Sequence, residues 1–360
     1  MLFTLIAWLT GLLIFGGLKV LEASHSKDGG TGRKVSLIIP ARNEEKNIGK
    51  LLESISKQKT VPHEVIVVDD NSSDGTAEIA SDYNVKLVRL ESDPPTGWIG
   101  KSWACWNGYL NSAGETLVFL DADVELSPEA LGTIIDLQEL KGGLVSVQPY
   151  HRMERFYESF SLVFNLIVVA SLGNFMAGER NAPGAFGPCM VCSRSDYSDV
   201  GGHEMIRSNV LDDIELGRAF RKSGFLVSNT FGGELISFRM YPGGIGEVLK
   251  GWGKNFAKGA GSTPPLTLLL MILWITGGFS TFLRLPIALG FQIQFIAFII
   301  MYLAYAIQIY LYSRKIGSFS IGHALIFPVY FLFFFYTFIY SGLRTLLFRR
   351  VSWKGRDIDV

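Results

Sequence analysis

The chemistry open to this chain is carried by a few carboxylates and one lysine. Asp121-Ala122-Asp123 follows the apolar run Thr116-Leu117-Val118-Phe119-Leu120. Five residues of that type read as a buried strand, and open α/β sheets place their ligands beyond the C-terminal ends of strands. Two carboxylates with one residue between them suit a hard divalent cation, Mg2+ or Mn2+, that also holds a diphosphate. A lone D-x-D is equally a solvated turn, so its surroundings decide. Asp69-Asp70-Asn71 ends a second apolar run, Val65-Ile66-Val67-Val68, and Arg42-Asn43-Glu44 follows a third, Val35 to Ile39, stopped by Pro40. A carboxylate at such a strand end accepts the imide N–H of uracil; capping of a following helix is the structural alternative. Gly100-Lys101 precedes a Trp-rich helix, and a lysine at a helix N-terminus favours phosphate, the alternative being a plain surface lysine. His203, after Gly201-Gly202, is a candidate for the acceptor side, although a lone histidine is more often structural. Asp212 and Asp213 open a further helix, where the dipole alone would also favour them.

These residues need a scaffold that brings them together. Alternating polar and apolar segments predict strands at 35–39, 65–68, 86–90 and 116–120 and helices at 47–57 and 103–112. Strands alternating with helices imply an α/β fold with a mainly parallel sheet covered on both faces. Three strand ends would then converge on one crevice. Neither G-x-G-x-x-G nor G-x-x-x-x-G-K-[ST] follows the first strand, which disfavours a dinucleotide-binding Rossmann enzyme and a P-loop.

The 360 residues hold 33 Lys plus Arg against 33 Asp plus Glu, which excludes a basic nucleic-acid footprint for the whole chain. Leu2 to Leu21 is almost wholly apolar, with Lys19 near its end, long enough for an anchor across a bilayer. No basic residue precedes Lys19, as a cleaved signal peptide would require. Lys27, Arg33 and Lys34 then place the following domain in the cytoplasm. Apolar stretches return at 266–283, 286–312 and 321–343. The basic cluster after the last one predicts a cytoplasmic C-terminus and makes 266–283 re-entrant or interfacial. The expected organisation is an anchor (1–22), a catalytic domain (33–242), an amphipathic interfacial helix (243–262), a C-terminal membrane region (263–348) and a basic tail (349–360), in a multi-pass protein of the cell membrane. In the amphipathic helix Val248, Trp252 and Phe256 lie opposite Lys250, Lys254 and Lys258. Cys189 and Cys192 form a C-x-x-C with no second pair nearby, so packing is expected rather than a closed zinc site. Nothing in the sequence fixes an oligomeric state.

The segments Ile38-Ile39-Pro40-Ala41-Arg42-Asn43-Glu44-Glu45, Val68-Asp69-Asp70-Asn71-Ser72-Ser73-Asp74-Gly75-Thr76 and Asp121-Ala122-Asp123 resemble the family 2 glycosyltransferases. Phe186-Gly187-Pro188, Gly201-Gly202-His203, Phe238-Arg239-Met240-Tyr241, Gly251-Trp252-Gly253-Lys254 and Trp353-Lys354-Gly355-Arg356 are similar to a membrane-bound branch that glycosylates carotenoid carboxylic acids. The resemblance implies the GT-A fold, Rossmann-like with flanking helices, and an inverting transfer of a hexose, glucose above all, from a UDP-sugar to a membrane lipid. It implies that Pro40, Ala41 and Glu44 border the nucleoside and that Asp70, with Asp69 beside it, contacts the base. By the same resemblance Asp123 ligates the metal, and Asp121, next to Ala122, faces the ribose or a metal-bound water. Asp213, where many members carry Glu-Asp, is the implied general base, with Asp212, Gly202 and His203 on the acceptor side. Arg239, Trp252 and Lys254 are further candidates for the donor diphosphate. They stand where processive relatives carry Q-x-x-R-W, a departure that argues for single transfer. Alternatives are another lipid acceptor (a hopanoid, diacylglycerol or polyprenyl phosphate) and a non-catalytic membrane scaffold.

Overall fold

The computed structural model describes residues 2–23, 32, 34–172, 181–261, 263–284, 292–348, 350–353 and 356–359, the side chains of 254–261 and 343–359 excepted. In chain order the first elements are α1 (Leu2–Phe15), β1 (Val35–Ala41), α2 (Ile48–Ser56), β2 (Glu64–Asp69), α3 (Thr76–Ser81), β3 (Lys86–Arg89), α4 (Gly100–Leu110), β4 (Thr116–Leu120), β5 (Val124–Leu126) and α5 (Ala130–Lys141). There follow β6 (Leu144–Gln148), β7 (Tyr150–His151), α6 (Leu162–Leu172), β8 (Cys189–Ser193), α7 (Arg194–Asp199), α8 (Gly202–Met205), α9 (Asp212–Lys222), β9 (Val227–Phe231), β10 (Ile236–Phe238), α10 (Ile245–Gly261) and α11 (Pro265–Leu283). The chain divides into two compact units. One comprises Lys19–Tyr150 and Arg180–Phe238, the other Met1–Leu18, His151–Glu179 and Arg239–Val360.

The first unit is built on a seven-stranded sheet of order β3-β2-β1-β4-β8-β6-β9. β1 runs parallel to both β2 and β4, while β8 runs antiparallel to its two neighbours. Strand alternation sorts the core into two layers. Leu37, Ile39, Val118, Leu120, Cys189 and Val191 face one layer, with Leu51, Leu52 and Ile55 of α2 and Ile134 of α5. Ile38, Leu117, Phe119, Met190 and Cys192 face the other, with Leu216 and Phe220 of α9. Covered on both faces, the central strands β1 and β4 are buried along almost their whole length rather than alternating. Cys189 and Cys192 thus lie buried in opposite layers as free thiols, and their C-x-x-C is packing.

The anchor expected over 1–22 divides in two. α1 is a helix of 14 residues. Its run stops at Gly16-Gly17, and Lys19 to Leu21 are extended: Val20 pairs in parallel with Phe231, whose N–H donates to Lys19 O at 3.1 Å. Hydropathy alone cannot distinguish a buried extended segment from a helical one.

In the second unit α11 is one continuous helix of 19 residues. It and the helix Gln292–Ile316 are long and apolar enough to cross a membrane. The expectation of a re-entrant stretch at 266–283 therefore meets an unbroken helix of roughly 28 Å at 1.5 Å per residue. The stretch at 321–343 is broken at Ile326 into Ile321–Leu325 and Phe327–Phe348. α1 packs on α11 through glycines: a Cβ on Gly277 would lie 2.3 Å from that of Ala7. Trp274 Nε1 donates to Gln308 Oε1 (2.8 Å), whose amide donates to Trp8 O (3.0 Å), so buried polar groups are paired. α10 spans almost the stretch expected of the amphipathic helix. Val248 on its apolar side is fully buried, Lys250 is exposed, and the helix packs along Phe327–Phe348. In the tail, Arg350–Trp353 and Arg356–Asp359 pair as an antiparallel hairpin.

Candidate active site

Because β2, β1 and β4 are adjacent and parallel, the segments after their C-terminal ends lie side by side. Asp70 N–H donates to Ala41 O (2.8 Å), and Arg42 Nη1 donates to Asp70 O (2.5 Å). Arg42 is also the counter-charge of the buried Asp70 carboxylate, at 3.8 Å. Asn43 and Asn71 adopt φ of +52° and +54°, a region Asn tolerates better than most residues. Those turns let Asn43 N–H reach Ser72 Oγ (3.0 Å) and Ser73 N–H reach Asn43 Oδ1 (2.9 Å). Glu44 N–H donates to Thr76 Oγ1 and Glu44 Oε2 accepts from Asn47 Nδ2. Asp69 accepts from Ser72 N–H, while α3 starts only at Thr76, so neither aspartate caps it. Pro40, Ala41, Glu44, Asp69 and Asp70 thus form one hydrogen-bonded border beside β4.

α4 begins at Gly100, three residues earlier than its Trp content suggests, because Ile99 is still extended. Lys101 therefore sits in its first turn, with Nζ 2.7 Å from Asp121 Oδ1. Both side chains keep partial exposure, 20% and 28%, open to a ligand. Asp121 N–H donates to Pro188 O (2.9 Å), which fixes the strand exit; Ala122 is buried and Asp123 is part-exposed. Burial works against the Lys101 ammonium, but Asp121, Asp212 and Asp213 outweigh it and hold its pKa well above the usual lysine range.

Asp212 and Asp213 form the first turn of α9. Burial first, then the charge of Asp212, pushes Asp213 up to about 6; Lys101 and the Ile214 N–H act the other way. That value is suited to a base near neutral pH. Asp212 is buried, and its Oδ2 has no hydrogen-bond partner. Lys101 thus ties the first turn of α4 to the end of β4, within electrostatic reach of the carboxylates that open α9.

For a divalent cation the donor set fits. Asp121 and Asp123 offer hard oxygens, and Asp121 already holds a cationic group. Among the described residues no three His, Cys, Asp or Glu gather as a metal cluster. Diphosphate oxygens and water would have to complete the coordination, as suits Mg2+.

The remaining candidates have other surroundings. A Cβ on Gly202 (φ +48°) would come within 2.3 Å of the Tyr197 ring. His203 is fully buried, its Nδ1 2.7 Å from Tyr197 Oη and its ring against Phe119. Burial, then Lys101, lowers its pKa to about 3, so it is neutral near pH 7. Gly202 and His203, expected on the acceptor side, are both buried against Tyr197. Arg239 and Trp252 belong to the second unit. Arg239 pairs with the fully buried Glu158 (2.6 Å) and with Glu154 (2.7 Å). Trp252 donates to Ser161 Oγ (3.0 Å) and stacks on Phe164. Both side chains, expected at the donor diphosphate, make these contacts within the second unit. The side chain of Lys254 lies outside the described residues.

Carboxylates at adjacent strand ends, a lysine in a helix's first turn and an aspartate raised to about 6 thus belong to one α/β unit. Residues 36–201 match the family model "Glycosyl transferase family 2". The chain is 37% identical over 97% of its length to the 4,4'-diaponeurosporenoate glycosyltransferase of Staphylococcus aureus strain USA300, covering 94% of that protein. Against the same-named protein of strain N315 it is 37% identical over 91% of this chain and 89% of that one. Among solved structures, a mannosyltransferase of Pyrobaculum calidifontis, in complex with GDP-Man and Mn2+, aligns over 96% of this chain and 95% of its own with a TM-score of 0.55 at 17% identity. The chain belongs to glycosyl transferase family 2, with the GT-A fold.

Proposed function

We propose that this glycosyltransferase moves glucose from UDP-glucose to a carotenoid carboxylic acid held in a membrane, with inversion at the anomeric carbon. The observation that carries the reading is the Lys101–Asp121 ion pair at the end of β4, with the carboxylates that open α9 near enough to help hold the Lys101 ammonium charged. It sets a donor side and an acceptor side on one lysine. The acceptor class is supported by the relatives named for 4,4'-diaponeurosporenoate, which this chain matches over nearly its whole length. Membrane association is supported by α11 and Gln292–Ile316.

In this reading Asp70 and Glu44 border the nucleoside, and Asp123 and Asp121 hold Mg2+ or Mn2+. The metal would neutralise charge gathering on the departing UDP. Lys101 adds a second positive charge beside the same phosphates. Asp213 sits against the acceptor. A hydroxyl acceptor would lose its proton to Asp213. A carboxylic acid is already ionised, so Asp213 then serves to orient it for in-line attack.

The test is transfer from radiolabelled UDP-glucose to a C30 carotenoid acid in detergent micelles, with diacylglycerol and polyprenyl phosphate as rival acceptors. Label is expected in the carotenoid ester alone. Asp123→Ala should abolish transfer while the melting temperature holds, and EDTA should do the same reversibly. Full activity in chelator would refute the metal site, and label in another lipid would replace the acceptor.

A further inference from the structure

The segment Gly184–Pro188 touches both halves of the candidate site. At its C-terminal end Pro188 O accepts from Asp121 N–H at 2.9 Å. One residue earlier a Cβ built on Gly187 would lie 2.8 Å from Asp213 Oδ2, 3.1 Å from its Cβ and 3.2 Å from its Cγ. All three of those nearest atoms belong to the Asp213 side chain. The φ of Gly187 is not in the left-handed region, so the backbone does not require glycine there. What requires it is room for the Asp213 carboxylate.

The other end of the segment is pinned. Phe186 N–H donates to Ser146 Oγ (2.7 Å), that hydroxyl donates to Asn229 Oδ1 (2.8 Å), and Asn229 Nδ2 donates to Gly184 O (2.9 Å). Ser146, Asn229, Ala185 and Phe186 are all buried. α9 lies directly on this stretch: a Cβ on its Gly217 would meet Ala185 N at 2.5 Å. The segment therefore cannot retreat from α9, and any side chain at 187 must displace Asp213 instead.

We propose that Gly184–Pro188 is a fixed spacer between the Asp121 exit and Asp213, and that Gly187 is a positioning residue that admits the Asp213 carboxylate to the site. The inference deepens the reading of Asp213 as the acceptor-side carboxylate and rests on it. Displacing a reacting group by about 1 Å costs up to roughly 100-fold in rate. In the full-length enzyme Gly187→Ala is expected to lower kcat by roughly ten- to 100-fold, with KM for UDP-glucose unchanged. Because the clash is with one side chain, Gly187→Ala should lower the melting temperature in the native background and leave it unchanged when Asp213→Gly is also present. Wild-type kcat in Gly187→Ala overturns the proposal. So does an equal loss of melting temperature in both backgrounds, which would mark a merely structural glycine. Should Gly187→Ala alone not fold, recovery of folding in the double variant supports the contact, and no recovery overturns it. Asp213→Asn separates the two ideas: full activity there defeats the reading of Asp213 and the spacer with it. An inactive Asp213→Asn beside a fully active Gly187→Ala defeats the spacer alone.

Discussion

Asp213 joins activity to stability. Its carboxyl is raised from the ordinary aspartate value near 4 to about 6, chiefly by burial and by Asp212. For an acid raised in the folded state, folding is penalised once the unfolded group ionises. Stability is therefore lost as pH climbs from about 4 through about 6, and the loss is complete above that. Asp213→Asn removes the penalty and should melt higher than wild type at pH 7.5, by on the order of 1–3 kcal/mol. The difference should vanish near pH 4, as scanning calorimetry at the two pH values would show. The same substitution should lower kcat by about 10²–10⁴ with a hydroxyl acceptor, and by less with a carboxylate. Much of this was legible in sequence: the D-x-D, the Asp69-Asp70 pair, Lys101 and Asp213 all sit at strand ends or helix starts that local pattern reveals. His203 was not, because a lone histidine carries no mark of burial; its environment is made by Tyr197 and Phe119. Gly187 was not either, since the side chain that demands the glycine lies 26 positions away, as 213 less 187.

At the scale of elements, short apolar runs bounded by polar residues were enough to find β1, β2 and β4 and to expect their ends in one place. It could not give the direction of β8, which depends on what the chain does between 149 and 188. Hydropathy likewise merged α1 with the extended Lys19–Leu21 and ran over the break at Ile326. The contacts of Arg239 and Trp252 were hidden for a related reason. Their partners Glu158 and Ser161 are 81 and 91 residues away, on the 3-10 turn Phe156–Ser161 before α6. Arg239→Ala strips the counter-charge from a fully buried Glu158 and should destabilise its unit by about 3–5 kcal/mol. Thermal unfolding in detergent measures this, and KM for UDP-glucose in the surviving folded fraction should be unaltered.

At the scale of the whole molecule, the chain builds its second unit from three separated stretches, and α11 pairs with α1 although the end of one lies 250 positions from the start of the other (265 less 15). In lipid such helices hold together by close packing through small residues, here Gly11, Gly277 and Gly278, which admit Trp274, Ala7 and Phe331. Expressed in bacteria, the protein should sediment with membranes and stay there through an alkaline carbonate wash, while detergent releases it. Release by carbonate alone would mean that the apolar helices pack only against protein.

Edge strands with free N–H and C=O rows invite another chain to add itself. β3, at one edge, is only four residues long and carries exposed Lys86 and Arg89, both awkward for a docking strand. β9, at the other, is met by Lys19–Leu21, so the stretch that leaves α1 also blocks a ladder that could seed polymerisation. A sheet with both borders guarded in this way can be held at high local concentration with less risk of strand exchange.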